Sequence, residues 1–152
     1  MRARITCSDG IEALQLNRDV HSGFLKRMGE ENSNTLSAAI SYAVSLNKLN
    51  RCGEVKALLR KTLPVARRVL GERNEFMLRM RQHIAEALYK DGSATLSDLR
   101  EAVNTLEETE RTARRVMGGA HPMIEDLEGR LRESRAALIS REASRETVTP
   151  SG

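Results

Sequence analysis

Three short stretches of this chain share one pattern, and each ends in a glycine. In each, two basic residues are followed by one or two apolar residues and then by Gly29, Gly71 or Gly118. The spacings between the glycines are 71 − 29 = 42 and 118 − 71 = 47 residues. A period of this length, with helical sequence between the marks, is typical of solenoids built from helix pairs. The glycines therefore indicate repeated helical hairpins, in which glycine ends a helix at low conformational cost.

Apolar residues between the glycines recur at the three- and four-residue spacings of a helix. Together with candidate capping residues they predict six helices, at about 10–28, 34–49, 54–70, 75–90, 97–117 and 121–140. Ser8 and Asp9 are the expected N-cap of the first helix. Pro64 is expected to bend the third helix rather than to end it, because the apolar face continues through it.

The same pattern divides the chain into repeat units. Residues 1–7 form a short N-terminal segment, 8–29 the second helix of an incomplete first repeat, 30–71 and 72–118 two repeats, 119–140 the first helix of an incomplete last repeat, and 141–152 a polar tail that we expect to be disordered. Counted back from each glycine, Ala13, Val55 and Ala102 coincide. The 47 − 42 = 5 extra residues of the second repeat are therefore predicted to be a loop insertion at 92–96.

The composition favours an all-α fold. Aromatic residues make up 3% of the chain and β-branched residues are sparse, which argues against a sheet. The core must come from Leu, Ile, Val, Met and Ala, and we expect Met77, Met80 and Cys52 to be part of it. The net charge is +4, but acidic and basic residues are interspersed and few aromatic rings could stack on bases. The composition therefore does not favour nucleic-acid binding.

The segments across the three glycines are similar to the LGxxHPxTL junction of tetratricopeptide repeats of the kinesin-light-chain type. They read Met28-Gly-Glu-Glu-Asn-Ser-Asn-Thr-Leu36, Leu70-Gly-Glu-Arg-Asn-Glu-Phe-Met-Leu78 and Met117-Gly-Gly-Ala-His-Pro-Met-Ile-Glu125. Ser97-Asp-Leu-Arg-Glu-Ala102 is similar to the GxYxEA start of the second helix in that family. The resemblance covers residues 8–138 and implies an α-solenoid of about six helices in antiparallel pairs, wound as a right-handed superhelix. HEAT-type repeats, whose period also fits, are the second interpretation.

In a solenoid of this type the first helix of each pair lines the concave face. The resemblance therefore implies that Ser37, Ser41, Arg79, His83 and Arg130 point into a groove that binds a peptide or a partner helix. The three basic side chains would favour an acidic peptide through charge-assisted hydrogen bonds. The alternative is that all five residues are only solvated. The chain would then be a structural or self-associating helical spacer, or a fragment of a longer repeat array without a ligand of its own.

No motif for catalysis, a cofactor or a metal is recognisable in the sequence. The three histidines lack metal-ligand spacing with cysteine or carboxylates. Asp91-Gly-Ser93-Ala-Thr95 lacks the later glycine and glutamate of a calcium loop. His121 precedes a proline at a helix start and is expected to cap that helix. We therefore expect a non-enzymatic protein–protein interaction module without cofactor.

Two further features concern location and self-association. Cys7 and Cys52 form no CxxC motif, and no apolar run approaches the length of a membrane span, so we expect a cytoplasmic protein. Leu16, Val20 and Phe24 form an apolar face on the first helix, whereas terminal repeats normally carry a polar outer face. We expect that the chain self-associates through residues 10–28, belongs to a longer array, or folds residues 1–7 over this face.

Overall fold

The computed structural model describes residues 7–148, and this part of the chain is entirely helical apart from its connections. The six α-helices are α1 (Cys7–Met28), α2 (Ser33–Lys48), α3 (Cys52–Leu70), α4 (Glu75–Lys90), α5 (Leu96–Met117) and α6 (Pro122–Val148). No β-strand occurs between residues 7 and 148. The predicted all-α class and the number of helices are therefore confirmed.

The three glycines that mark the repeat adopt one backbone conformation. Their φ angles are +84° at Gly29, +81° at Gly71 and +84° at Gly118. Each glycine N–H donates a hydrogen bond to the carbonyl oxygen four residues earlier, at 3.1, 3.0 and 3.0 Å. A positive φ is strained for any residue with a Cβ atom, which explains why glycine recurs at this position.

The residue that follows each glycine by three positions caps the next helix. Asn32 and Asn74 accept hydrogen bonds through Oδ1 from the backbone N–H two residues on, at 2.9 and 2.8 Å. The Nδ1 atom of His121 accepts from the N–H of Met123 at 3.1 Å. These bonds satisfy one of the free amides at each helix start. The predicted capping role of His121 is therefore confirmed.

The even-numbered helices form one layer of the molecule. Each helix packs against its neighbours in the sequence, and in addition α2 contacts α4 and α4 contacts α6. Between the odd-numbered helices the described contacts are side-chain ion pairs, such as Arg18 of α1 with Glu54 of α3 at 3.9 Å and Arg60 of α3 with Glu101 of α5 at 3.6 Å. Helix α4 therefore lies at the centre of this layer, with α2 on one side and α6 on the other.

Helix α4 is buried on two faces and joins two hydrophobic clusters. One face packs with α1, α2 and α3 through Met77, Met80, Ile84 and Ala87. The other packs with α5 and α6 through Leu78, Ala85, Leu88 and Tyr89. The expected burial of Met77, Met80 and Cys52 is confirmed, and the repeat-equivalent residues Val55 and Ala102 are fully buried.

The first helix begins earlier than predicted. Helix α1 starts at Cys7, so Ser8 and Asp9 lie in its first turn and not at its N-cap. An acidic residue is favourable at both places, because it interacts with the free amides and the positive end of the helix dipole. Residues 1–6, which the prediction assigned to the N-terminal segment, lie outside the described residues.

The last helix is longer than predicted. Helix α6 continues to Val148, so the expected disorder is wrong for residues 141–148, while 149–152 lie outside the described residues. No glycine or proline lies between Ser140 and Val148, and Arg, Glu and Ala are good helix formers. Glu142 also pairs with Arg100 of α5 at 3.6 Å, which ties the extension to the fold.

The five extra residues of the second repeat are not all in the loop. The α4–α5 connection spans 91–95, two residues more than the α2–α3 connection at 49–51. Helix α5 has 22 residues and α3 has 19, which accounts for the other three. Thr95 and Asp98 form a reciprocal capping box that fixes the earlier start of α5. Helix α3 continues through Pro64, and its bend there stays a prediction.

Candidate functional site

A concavity of about 490 Å³ lies between the first turns of α4 and α6. We call it the α4–α6 groove. Three successive turns of each helix line it, and they contribute the repeat-equivalent pairs Glu75 and Pro122, Arg79 and Asp126, and His83 and Arg130. Each pair is separated by 47 residues, the repeat spacing between Gly71 and Gly118. The groove is therefore built from equivalent positions of adjacent repeat units.

Three of the five predicted groove residues meet in this concavity. Arg79 and His83 come from α4 and Arg130 from α6. Ser37 and Ser41 lie on α2, 42 residues before Arg79 and His83, and do not line the groove. Ser37 is half-buried and Ser41 is exposed. A binding role for all five residues stays a prediction.

Sequence analysis missed several residues of the groove. Besides Glu75, Pro122 and Asp126, it is lined by Gln82, His121 and Met123. The sequence did contain a signal for the α6 side of the lining. Pro122, Asp126 and Arg130 follow one another at four-residue intervals and therefore lie on one face of that helix. The contribution of Met123 was not visible in this pattern.

A half-buried ion pair joins the lining residue Arg130 to Glu86 of α4. Arg130 Nη1 lies 2.7 Å from Glu86 Oε2, and the Glu86 side chain is only 12% exposed. Lys90 Nζ donates to the other carboxylate oxygen at 2.8 Å. Burial alone would raise the pKa of Glu86, but the neighbouring His83 and Lys90 side chains and the charge of Arg130 outweigh it and lower this pKa to about 2. Glu86 is therefore a carboxylate that holds Arg130 in place.

A second bond joins α4 to α6 one turn further along. Tyr89 Oη donates a hydrogen bond to Glu133 Oε2 at 2.7 Å. Burial, together with this bond to a carboxylate, raises the pKa of Tyr89 well above its ordinary value. The phenol therefore remains a neutral donor at physiological pH. These two bonds fix the distance between the helices whose first turns form the groove.

The charges that line the groove balance. Arg79 and Arg130 contribute two positive charges, and Glu75 and Asp126 contribute two negative ones. Arg79 Nη2 lies 2.8 Å from Glu75 Oε1, and Arg130 is held by Glu86 beneath it. The surplus of positive charge expected from the sequence is absent from the described lining. The reason is that each arginine lies within reach of a carboxylate on its own or the facing helix.

Two buried nitrogen atoms at the groove have no hydrogen-bond partner. These are His83 Nδ1 and Arg130 Nε, and they make up two of the three such side-chain atoms found among the described residues. His83 Nδ1 lies 3.9 Å from Glu86 Oε2, which is beyond hydrogen-bond length. Glu86 is bonded instead by Lys90 Nζ and paired with Arg130 Nη1.

Two other concavities are less suited to hold a ligand. One of about 570 Å³ lies beside the α3–α4 junction, and four of its five lining residues, Glu72, Arg73, Arg115 and Val116, are exposed. Another, of about 130 Å³, lies between α1, α2 and α3. The lining of the first is more exposed than that of the α4–α6 groove, where four of nine lining residues are exposed. The second is smaller than ordinary ligand pockets of about 300–1,000 Å³.

The described residues provide no evident metal centre. Between residues 7 and 148, no three His, Cys, Asp or Glu side chains are placed so that they could hold a metal ion. Cys52 is a free, buried thiol whose pKa is raised by burial. None of the helices described is both long and apolar enough to cross a membrane.

Comparison with protein-family models, with curated proteins and with solved structures finds no significant match to this sequence. The function of the α4–α6 groove therefore has to be argued from its own geometry and chemistry.

Proposed function

We propose that this chain is a repeat module of the tetratricopeptide type that binds a peptide or partner helix in the α4–α6 groove, without catalysing a reaction. The repeated glycine junctions support the proposal, because they share one conformation and one capping geometry. The layer of α2, α4 and α6 also supports it, since first helices line the inner face of such solenoids.

The observation that carries the binding proposal is the groove's construction from equivalent positions on adjacent repeat units. Its size of about 490 Å³ is that of a ligand site. One of its lining residues, Arg130, is held by the ion pair with Glu86, which supports a groove that is formed before a ligand arrives. Preformed sites bind with a smaller loss of conformational entropy.

The balanced lining charge favours a peptide that carries both charges over a strongly acidic one. The Arg79 side chain is 47% exposed and its bond to Glu75 is a surface pair on one helix. Such pairs contribute less than about 1 kcal/mol, so Arg79 can exchange Glu75 for a carboxylate of the peptide. Asp126 then faces a basic group of the peptide across the same turn. Gln82 adds donors and acceptors for a peptide backbone.

A cytoplasmic location fits the free thiol of Cys52. The proposal includes no nucleic-acid partner. The arginines at the groove are paired with carboxylates and do not form a basic stripe. We place the chain among non-enzymatic modules because the groove holds no pair of groups with the geometry of a nucleophile and its base.

The binding proposal is tested with peptides selected from a random library on the full chain. Affinity is then measured by fluorescence anisotropy for the wild type and for Arg79→Glu. We expect the substitution to weaken binding by roughly tenfold or more, because a charge-assisted hydrogen bond is replaced by repulsion.

The matched control is Arg100→Glu. Arg100 is 58% exposed and pairs with a single carboxylate, Glu142, as Arg79 pairs with Glu75, but it lies on α5 outside the groove. It should leave the affinity unchanged. Equal affinities for both variants and the wild type would remove the α4–α6 groove from consideration as the binding site.

A further inference from the structure

Helix α1 carries an exposed apolar seam that no described helix covers. Leu16 is 63% exposed, and Val20 and Ala13 are exposed beside it. The repeat-equivalent residues of α3 and α5 are buried or half-buried. Val55 and Ala102, the equivalents of Ala13, are fully buried, and so is Thr109, the equivalent of Val20.

The apolar part of the seam runs from Ala13 to Val20, and its regular spacing continues along the helix at both ends. Its positions are Asp9, Ala13, Leu16, Val20, Gly23 and Arg27, which follow one another at intervals of four, three, four, three and four residues. Alternating intervals of three and four define the contact line of a two-helix coiled coil. A cap against solvent would carry polar residues at the centre of this line, where Leu16 and Val20 lie.

We propose that α1 is the dimerisation surface of this protein and that its occupant is α1 of a second copy, packed antiparallel about a two-fold axis near residue 18. In this arrangement Leu16 contacts Val20 of the second copy, and Ala13 lies against its Gly23. The acidic end at Asp9 faces the basic end at Arg27. A parallel arrangement would place like charges together, so the charge distribution selects the antiparallel one.

A head-to-tail assembly is disfavoured by the chemistry of the opposite end. The face of α4 that packs on α5 carries Leu78, Ala85 and Leu88. The repeat-equivalent positions of α6 carry Glu125, Arg132 and Arg135, and all three are exposed. Burying these charges against Leu16 would cost more than the apolar contact contributes. The charged face of α6 therefore does not match the apolar face of α1, whereas a second copy of α1 does.

The dimer is expected to be weak. Helix α1 has 22 residues and is therefore roughly 33 Å long. A contact along one such helix buries less than the roughly 1,200 Å² at the lower end of standard interfaces. This proposal does not depend on the peptide-binding proposal, since α1 contributes no residue to the α4–α6 groove.

Sedimentation equilibrium of the full chain over a wide concentration range tests the proposal. We expect a monomer–dimer equilibrium, and a dissociation constant raised roughly tenfold or more by Leu16→Asp. The matched control is Ile139→Asp, because Ile139 is 66% exposed but lies on α6. The Ile139→Asp variant should dimerise with the same dissociation constant as the wild type. A chain that stays monomeric, an oligomer larger than a dimer, or equal effects of both substitutions would overturn the proposal.

Cysteine cross-linking tests the orientation. In a Cys7→Ser background, an oxidised mixture of Leu16→Cys and Val20→Cys chains should form mixed disulfide dimers faster than either chain forms them with itself. Faster cross-linking of each variant with its own copy would indicate a parallel pair and contradict the antiparallel arrangement. Circular dichroism confirms that each variant is folded.

Discussion

Substitution of Gly71 by alanine tests the conformation on which the repeat junctions depend. Gly71 has φ +81° and ψ 164°, a region that is essentially restricted to glycine. A Cβ atom built at this position would meet no atom within 4 Å. The substitution therefore introduces no collision with neighbouring residues, and its whole effect in the folded state is backbone strain.

The expected loss of stability follows from two opposing contributions. Holding a residue with a Cβ atom in this region costs about 1–3 kcal/mol. Alanine also restricts the unfolded chain, which stabilises the fold by about 0.4–1 kcal/mol. The net loss is about 1–2 kcal/mol, which lowers the Tm of a protein of this size by roughly 3–6 °C.

Urea unfolding followed by circular dichroism measures this difference. The matched control is Gly53→Ala in the first turn of α3, where φ is not positive and a Cβ atom also meets nothing within 4 Å. Alanine should stabilise that site by about 0.5–1 kcal/mol. Because Gly118 has the same geometry, Gly118→Ala should cost as much as Gly71→Ala. The result that would refute this reasoning is a Gly71→Ala variant as stable as the wild type, or stabilisation by Gly71→Ala and Gly118→Ala as by Gly53→Ala.

Three other predictions concern the contacts that position the groove. Folding lowers the pKa of Glu86 from 4.5 to about 2, which corresponds to about 3 kcal/mol of stability. This contribution is complete above pH 4.5 and decreases as the pH falls toward 2. Glu86→Gln should lose less stability than the wild type in urea titrations across this range, and an equal loss would contradict the assignment. Tyr89→Phe removes the hydrogen bond to Glu133 and should cost about 1.5–3 kcal/mol in the same assay, whereas an unchanged midpoint would show that this bond does not hold α6. Asn74→Ala should lower the free energy of unfolding by about 1 kcal/mol, because alanine cannot cap the helix. Asn74→Asp should lower it much less, because aspartate still caps the helix. Equal losses for the two variants would argue against capping.

Much of the fold was predictable because its signals are local. The glycines at 29, 71 and 118 require a positive φ whatever the tertiary structure, and helical spacing of apolar residues identifies the buried faces. The burial of Val55 and Ala102 followed from the alignment of the repeat units alone. The end of α6 was not predictable in the same way. The polar residues 141–152 were interpreted as a disordered tail, whereas helix-forming composition and the contact of Glu142 with Arg100 favour the helix that the structure shows through Val148.

The electrostatics of the groove could not be obtained from the sequence. Arg79, His83 and Arg130 were identified as groove residues from their place in the repeat, but their partners depend on which faces of α4 and α6 meet. Glu86 and Arg130 are 44 residues apart, and nothing local marks them as a pair. Without that contact the arginines seemed to form a basic surface, and the balanced lining became evident only from the packing of the helices.

The central claim is that the α4–α6 groove is the binding surface, and NMR titration of the isotope-labelled chain with a selected peptide tests it most directly. We predict that the largest chemical-shift changes occur at the backbone amides of Arg79, Gln82, His83, Met123 and Asp126. Changes concentrated on the outer faces of α3 and α5, with these amides unmoved, would contradict it.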